Sequence, residues 1–319
     1  MKVLVTGATG FIGRRLVDAI AKEGRSVRVF CRSPIGVGTY EGVVGDVFDQ
    51  EALRAACSGV DCVFHCAGYA HAFAAVGDDE AWLQWDVNVV GTKNLINAAA
   101  AQGVRHFVFL SSVKAMGEPG QSCVDEHFAA PPVSDYGKAK LAAEKAVLDA
   151  AARHGMHVVN LRLCMVYGAG GRGNLERMGR LVKRGLFPPL PETGNRRSMV
   201  HVDDVVDAMM LVAEDERAAG KTYIIAGPDA PSGHELYQAM RSILGMKPAW
   251  WVVPQSVLRV GGRMGDMGKR VLQRRLPVDS EVIGRLLDSA WYSALHIEEE
   301  LGWKARISLK DGLSEMFGV

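Results

Sequence analysis

KVLVTGATGFIGRRLVDAIAKEGRSVRVFCRS, residues 2–33, decides the fold. Val3–Val5 form an apolar run of strand character, glycines follow at positions 7, 10 and 13, an amphipathic stretch comes next, and VRVFC closes the segment as a second strand. Glycine permits a tight turn and lets backbone approach backbone or ligand without a Cβ in the way. A helix that starts just behind such a turn presents unsatisfied N–H groups and its positive dipole end to an anion. Gly7, Gly10 and Gly13, with Thr9, Phe11 and Ile12 between them, therefore predict a cradle for the pyrophosphate of a dinucleotide.

The alternation continues along the chain. Val60–Ala67 reads as a buried strand, Asn88–Ala101 as a helix, His106–Leu110 as a strand, Tyr136–His154 as a long helix and Val158–Leu163 as a further strand. Repeated strand–helix units predict a doubly wound α/β domain, a parallel sheet with helices on both faces. After Val166–Tyr167–Gly168 the chain turns rich in glycine and then proline, which predicts a smaller substrate-binding region. The expected division is residues 1–168 mainly for the dinucleotide and 169–319 mainly for the substrate, with 198–225 returning to the first domain as a short strand and an amphipathic helix.

Bulk properties narrow the partners. A net charge of +1 over 319 residues argues against nucleic acid, whose sequence-independent affinity rests on accumulated basic charge. No basic leader with a separate apolar stretch precedes the first strand, and six cysteines are scattered without CxxC spacing, so a reducing cytoplasm is the expected setting. His65, His71, His106 and His201 share no ligand spacing, and no metal is expected.

Tyr136 and Lys140 stand four residues apart, which on a helix brings two side chains onto one face about 5–6 Å apart. A lysine ammonium beside a phenol favours the phenolate, and the expectation is a Tyr136 pKa lowered from about 10. Ser111 and Ser112 follow the apolar run HFVFL at the C-terminal end of a parallel strand, where α/β sites form. A serine there is able to orient a substrate oxygen, or simply to cap the following turn. Asp46 is either a residue at the adenine end of a dinucleotide or a turn residue. The second strand ends in Cys31–Arg32 without an acid for a ribose 2′-hydroxyl, and Arg32 favours NADP(H) over NAD(H) by offering a guanidinium to a 2′-phosphate.

Glycine loop, serine at a strand end and YxxxK, in that order, make the chain resemble the extended short-chain dehydrogenase/reductase family over most of residues 1–225, and more weakly to Leu301–Trp303. The resemblance implies a GxxGxxG loop at Gly7, Gly10 and Gly13, a cofactor path along Asp46, Val47, Ala67, Gly68 and Asn88, and catalysis by Ser112, Tyr136 and Lys140. Ser112 is preferred to Ser111 on its distance to Gly117. Lys140 would also hold the nicotinamide ribose. Asn174–Leu175, and Arg197 followed by His201–Asp203, resemble the nucleotide-sugar branch and imply that Asn174, Leu175 and Arg197 contact a nucleotide diphosphate. The chain departs from that branch at Met165 and Met116, where asparagine and tyrosine are common. Val113 and Lys114 occupy the positions of the Asp-Glu pair of the 4,6-dehydratases, which disfavours dehydration.

The resemblance implies reduction of a UDP-4-keto-6-deoxyhexose at C4 or, almost equally, 4-epimerisation of a UDP-hexose or UDP-N-acetylhexosamine. A third expectation comes from residues 250–275, where Trp250, Trp251, Arg259, Arg263, Lys269, Arg270, Arg274 and Arg275 stand with only Asp266 as an acid. That stretch is either a solvated basic face over a packed core or a surface for a membrane or a hydrophobic carbonyl substrate, as in steroid-like or lipid alcohol dehydrogenases. A membrane-surface interaction protein without catalysis is the non-enzymatic alternative. No integral membrane segment is expected, and the exposed faces of the two long helices would suit a homodimer.

Overall fold

The computed structural model describes residues 1–34, 40–69, 78–171, 173–272 and 279–318; the side chains of 78–81, 174 and 269–272 are outside the description. The strands are β1 (Lys2–Thr6), β2 (Ser26–Cys31), β3 (Glu41–Val44), β4 (Cys62–His65), β5 (His106–Ser112), β6 (His157–Leu163), β7 (Met165–Tyr167), β8 (Met199–His201) and β9 (Lys221–Ile225). Seven of them form one sheet in the order β3-β2-β1-β4-β5-β6-β9, with every neighbouring pair parallel. β7 and β8 pair separately, also in parallel.

The helices are α1 (Phe11–Lys22), α2 (Gln50–Cys57), α3 (Asp78–Trp85), α4 (Gly91–Ala101), α5 (Asp135–His154), α6 (Asn174–Lys183), α7 (Val202–Glu214), α8 (Gly233–Ile243), α9 (Gln255–Leu272), α10 (Ser280–Leu287), α11 (Leu295–Leu301) and α12 (Leu309–Phe317). None is long and apolar enough to cross a membrane among the described residues.

Period-two alternation divides the core. Val3 and Val5 of β1 join Leu16, Val17 and Ile20 of α1 and Val205, Met209 and Val212 of α7 on one face. Leu4 points to the other, where Leu53 of α2, Leu95 and Ile96 of α4, Phe107 and Phe109 of β5 and Val147 of α5 fill the second layer. A third cluster, built from Leu175, Met178, Leu236, Tyr237, Ile283 and Leu313 among others, lies in the later half of the chain. Arg15 on α1 ties that half to the sheet, reaching Asp203 at 3.4 Å and Glu315 at 2.6 Å beside the buried His201.

The helix expected from Asn88 opens differently. Asp86–Val90 form a π-helical turn and α4 begins only at Gly91. The widened turn turns Asn88 inward, where it is fully buried.

Close packing at the first glycine turn is tight enough to be tested. A Cβ on Gly13 would stand 2.2 Å from the Gly7 carbonyl oxygen, so α1 seats on β1 only without a side chain there. Gly13→Ala should lower stability by about 1–3 kcal/mol in urea unfolding; an unchanged midpoint would show that the turn yields.

Candidate active site

The order of strands switches direction at β1, between β2 and β4, and the site lies beyond the C-terminal ends of these strands. Gly7 holds a left-handed φ of 69°, and a Cβ on it would come 2.7 Å from the backbone of Cys66 and Ala67. Gly10 donates its N–H to the Gly7 carbonyl at 2.9 Å and caps α1 without any side-chain bond. Among the described residues no side chain caps the start of α1 at Phe11, Ile12 and Gly13, and Thr9 is exposed beside it. Bare backbone at a helix start, opposite a bare strand end, fits the pyrophosphate of a dinucleotide.

A hydrogen-bond chain holds the opposite wall. The Ala67 N–H donates to Thr6 Oγ1 (3.2 Å), which is 2.7 Å from His65 Nδ1; His65 Nε2 is 3.0 Å from Thr92 Oγ1, which donates to the Asn88 carbonyl at 2.7 Å. Because the Thr92 hydroxyl spends its proton on Asn88, it accepts from His65, and that assigns the ring proton to Nε2 and leaves Nδ1 to accept from Thr6. Burial, and next the charge of Lys140, push the His65 pKa down to about 3, so the ring stays neutral. Asn88 in turn clamps Tyr69, accepting its N–H at 3.0 Å and donating to its carbonyl at 2.9 Å. Gly68 runs between them, where a Cβ would lie 2.9 Å from Asn88 Oδ1 and 3.3 Å from Lys140 Nζ. Sequence reasoning had no access to Thr6, His65 or Thr92; their only signal is their polarity at the ends of apolar segments.

On β5 the two serines part. Ser111 faces inward and donates to Glu144 Oε1 at 2.5 Å, and Glu144 is bound by Arg162 at 2.8 Å. Ser112 points to the opposite face, accepts the Lys114 N–H at 3.2 Å, and lies on the side of Tyr136, whose phenol it influences. Lys140, one turn along α5, is buried. Its ammonium donates to the Leu110 carbonyl at 2.8 Å and lies 4.6 Å from the centre of the Phe109 ring and 6.0 Å from that of Tyr136.

Spacing brings Tyr136 and Lys140 together, but the expected direction of the Tyr136 pKa is reversed. Burial pushes the phenol up to about 12, and only the nearby Ser112 hydroxyl pulls it back. The ammonium, 6.0 Å from the centre of the phenol ring and donating to Leu110, does not offset this. It is itself brought down to about 8 by burial, against the opposing pull of Glu144.

Other expected contacts are spread along the rim. Asp46 accepts the Phe48 N–H at 3.1 Å, a turn geometry, and Asp49 caps α2. Val47 packs on Gly91 and its carbonyl accepts from Asn94 at 3.1 Å. Arg32 is exposed just past β2 and makes no ion pair among the described residues. Asn174 begins α6, with its side chain outside the described residues.

Leu175 and Arg197 meet in a cavity of about 310 Å³ whose wall also includes Met165, Met178, Leu190, Leu236, Val257 and Ile283. The lining is overwhelmingly apolar. Its cationic groups are Arg177, Arg197 and Arg285. Burial, with Arg285 nearby, lowers the Arg197 pKa, yet a guanidinium remains charged. Arg197 donates to the Asp288 carbonyl at 3.1 Å.

The family profile described as "NAD dependent epimerase/dehydratase family" matches residues 3–226. The chain belongs to that family. It is an enzyme of the extended short-chain dehydrogenase/reductase type that depends on NAD. Its relatives in the family include a UDP-glucose 4-epimerase of Vibrio cholerae, 30% identical with 98% of this chain and 93% of that one covered. An N-acetyl-α-D-glucosaminyl-diphospho-ditrans,octacis-undecaprenol 4-epimerase of Escherichia coli O157:H7 is 25% identical, with 98% and 92% covered. The solved structure of MoeE5 in complex with UDP-glucose and NAD superposes with a TM-score of 0.77 at 28% identity, covering 100% of this chain and 98% of that one.

The buried ammonium gives this family member a pH signature in stability. Below about pH 8 both folded and unfolded chains carry the Lys140 proton and burial costs its full amount; between about 8 and 10.5 only the unfolded chain keeps it, so stability rises through that window. Against a Lys140→Met variant, which lacks this term, the parent should gain roughly 2–3 kcal/mol from pH 7 to pH 10 in urea unfolding. A difference that stays flat with pH would place the charge in contact with water.

Proposed function

We propose that the chain is a 4-epimerase of a sugar carried on a diphosphate, a UDP-hexose or UDP-N-acetylhexosamine, with Ser112, Tyr136 and Lys140 as its catalytic residues. The observation that carries this is the Lys140 ammonium, buried against the Leu110 carbonyl at the end of β5 and 6.0 Å from the Tyr136 ring centre, with Ser112 closing the same strand. NAD, held along Gly7, Gly10 and Gly13, would supply the reversible hydride chemistry at C4 of the sugar. Tyr136 accepts the proton of the C4 hydroxyl as the hydride leaves and gives it back when the ketone is reduced on its other face, so the cycle has no net redox change. Ser112 holds the substrate oxygen in line with Tyr136. Lys140 lies beside Gly68 and Asn88, where it would reach the nicotinamide ribose; it is the cation on the same helix face, 6.0 Å from the Tyr136 ring centre, that would favour a phenolate once substrate and cofactor are bound. Residues 1–168 hold the cofactor and 169–319 the substrate, with 198–225 returning to the first unit.

Epimerisation is preferred to reduction of a 4-keto-6-deoxyhexose on the likeness to named 4-epimerases. Leu175, Arg197 and, at the head of α6, Asn174 serve the diphosphate. The apolar lining of the cavity favours a second reading, in which the diphosphate carries a polyprenyl chain in place of the nucleoside, as the name of the Escherichia coli relative specifies for that protein.

Incubation with UDP-glucose, UDP-N-acetylglucosamine and an undecaprenyl-diphospho-N-acetylglucosamine, followed by NMR of the C4 proton, should show interconversion of C4 epimers without net cofactor consumption. Tyr136→Phe should lower turnover by about 10²–10⁴-fold with NAD affinity retained. Stoichiometric NADPH consumption on a UDP-4-keto-6-deoxyhexose, with no epimer formed, would replace this reading by the reductase. Exposed Arg32 supports acceptance of a 2′-phosphate as well: Arg32→Ala should weaken NADP(H) binding by about tenfold, the worth of one charge-assisted contact, and leave NAD(H) unchanged. Equal losses for both would remove Arg32 from cofactor choice.

A further inference from the structure

The helix α9 is apolar on two faces. Leu258, Gly262 and Gly265 are buried, with a Cβ on Gly262 falling 3.0 Å from Ser280 of α10. On the other side Val257, Val260, Met264 and Met267 recur every three or four residues and form a stripe that no described residue covers, 53–64% exposed. Trp250 (92% exposed), Trp251 and Val252 lead into this stripe. Isolated apolar residues on a surface need no explanation, but a continuous stripe headed by two tryptophans does.

The surroundings say what covers it. Val257 and Gly261 line the cavity with Leu186 and Arg177, so α9 and the C-terminal end of α6 share its rim. Leu186 is 68% exposed, and Arg177, Arg180, Lys183 and Arg184 are exposed around it. None of these four cations, nor Arg263 beside the stripe, makes an ion pair among the described residues; Arg259 is paired with Asp288 at 2.8 Å. Tryptophans and an apolar helical stripe flanked by unpaired basic groups match the boundary between headgroups and acyl chains of an anionic bilayer. A protein partner that covered the stripe would need acidic groups at its rim as well, and nothing further points to one.

We propose that Trp250–Val252 and the outward stripe of α9 dock the enzyme on the surface of an anionic membrane, with the mouth of the arginine-bearing cavity opening at the level of the lipid headgroups. The helix lies in the interface and does not span it. This surface goes beyond the proposed reaction and holds whichever sugar diphosphate the site takes; its test reads binding to vesicles and does not depend on turnover.

The test is flotation of the full chain with vesicles of phosphatidylcholine alone and of phosphatidylcholine and phosphatidylglycerol in equal parts. The parent should bind the anionic vesicles at least about tenfold more tightly and be released by salt. The triple variant Val260→Ser, Met264→Ser, Met267→Ser should lose that binding with NAD affinity and thermal midpoint intact. Should the triple variant fail to fold, the single variant Arg263→Glu decides, by a loss of preference for anionic vesicles. Absence of binding by the parent, or equal binding by parent and variants, overturns the proposal. So does a parent dimer that ignores vesicles and falls to monomers on the same substitutions, since the stripe would then belong to a second copy.

Discussion

Lys140 is the buried charge around which the site is arranged. An ammonium taken from water needs its protons placed, and here the Leu110 carbonyl at the end of β5 receives one while the Phe109 ring lies beneath. Both contacts come from the same strand, so the lysine pins α5 to β5 at the level where the strand runs out. Gly137 allows the approach: a Cβ there would stand 2.0 Å from the Lys114 carbonyl. Deeper in the same interface, Glu144 binds Ser111 and Arg162 and closes the polar face of α5 against β5 and β6. Ser112 and Tyr136 meet because this helix cannot rotate or slide without stripping a buried ion of its partners.

Burial also sets the electrostatics. Desolvation lowers the Lys140 pKa and raises that of Tyr136, so each group is pushed towards its neutral form. A pair that shares a helix face in water would attract; in this interior desolvation is the largest influence on each partner, and it acts on each separately. His65 follows the same rule. Kept neutral, it has one donor and one acceptor, which is what a chain of hydrogen bonds running in one direction from Ala67 to Asn88 requires.

The sequence made the βαβ unit and the double-sided core legible because both rest on periodicity, of two in Val3–Val5 and of three to four in Leu16, Val17 and Ile20. The i, i+4 relation of Tyr136 and Lys140 was legible for the same reason. Alternation along a strand would also have separated Ser111 from Ser112, given the side on which Tyr136 lies. The sign of the Tyr136 shift was not legible, since spacing on a helix carries no information about depth. Nor was the Thr6–His65–Thr92 chain, whose first two members are 59 residues apart, or the π-turn that turns Asn88 inward. Their common feature is dependence on which segments the sheet order brings side by side.

The substrate cavity shows where this limit matters most. Its wall is drawn from β7, α6, the proline-rich stretch after it, α8, α9 and α10, so no motif within a short window encodes it. What the sequence offered there was a basic aromatic stretch with two meanings, a solvated face or an apolar surface. The two meanings divide by face of a single helix. Leu258 and Gly262 seat α9 on α10 and the cavity, as any packed helix requires, and this leaves the cations and the outward apolar residues to one another. A helix that only closed a cavity would have no use for Val260, Met264 and Met267 on its outer side, where each adds exposed apolar area that water disfavours. Their presence beside an arginine-bearing, apolar-walled cavity links the two: a wall suited to an apolar chain and a surface suited to the layer in which such chains reside.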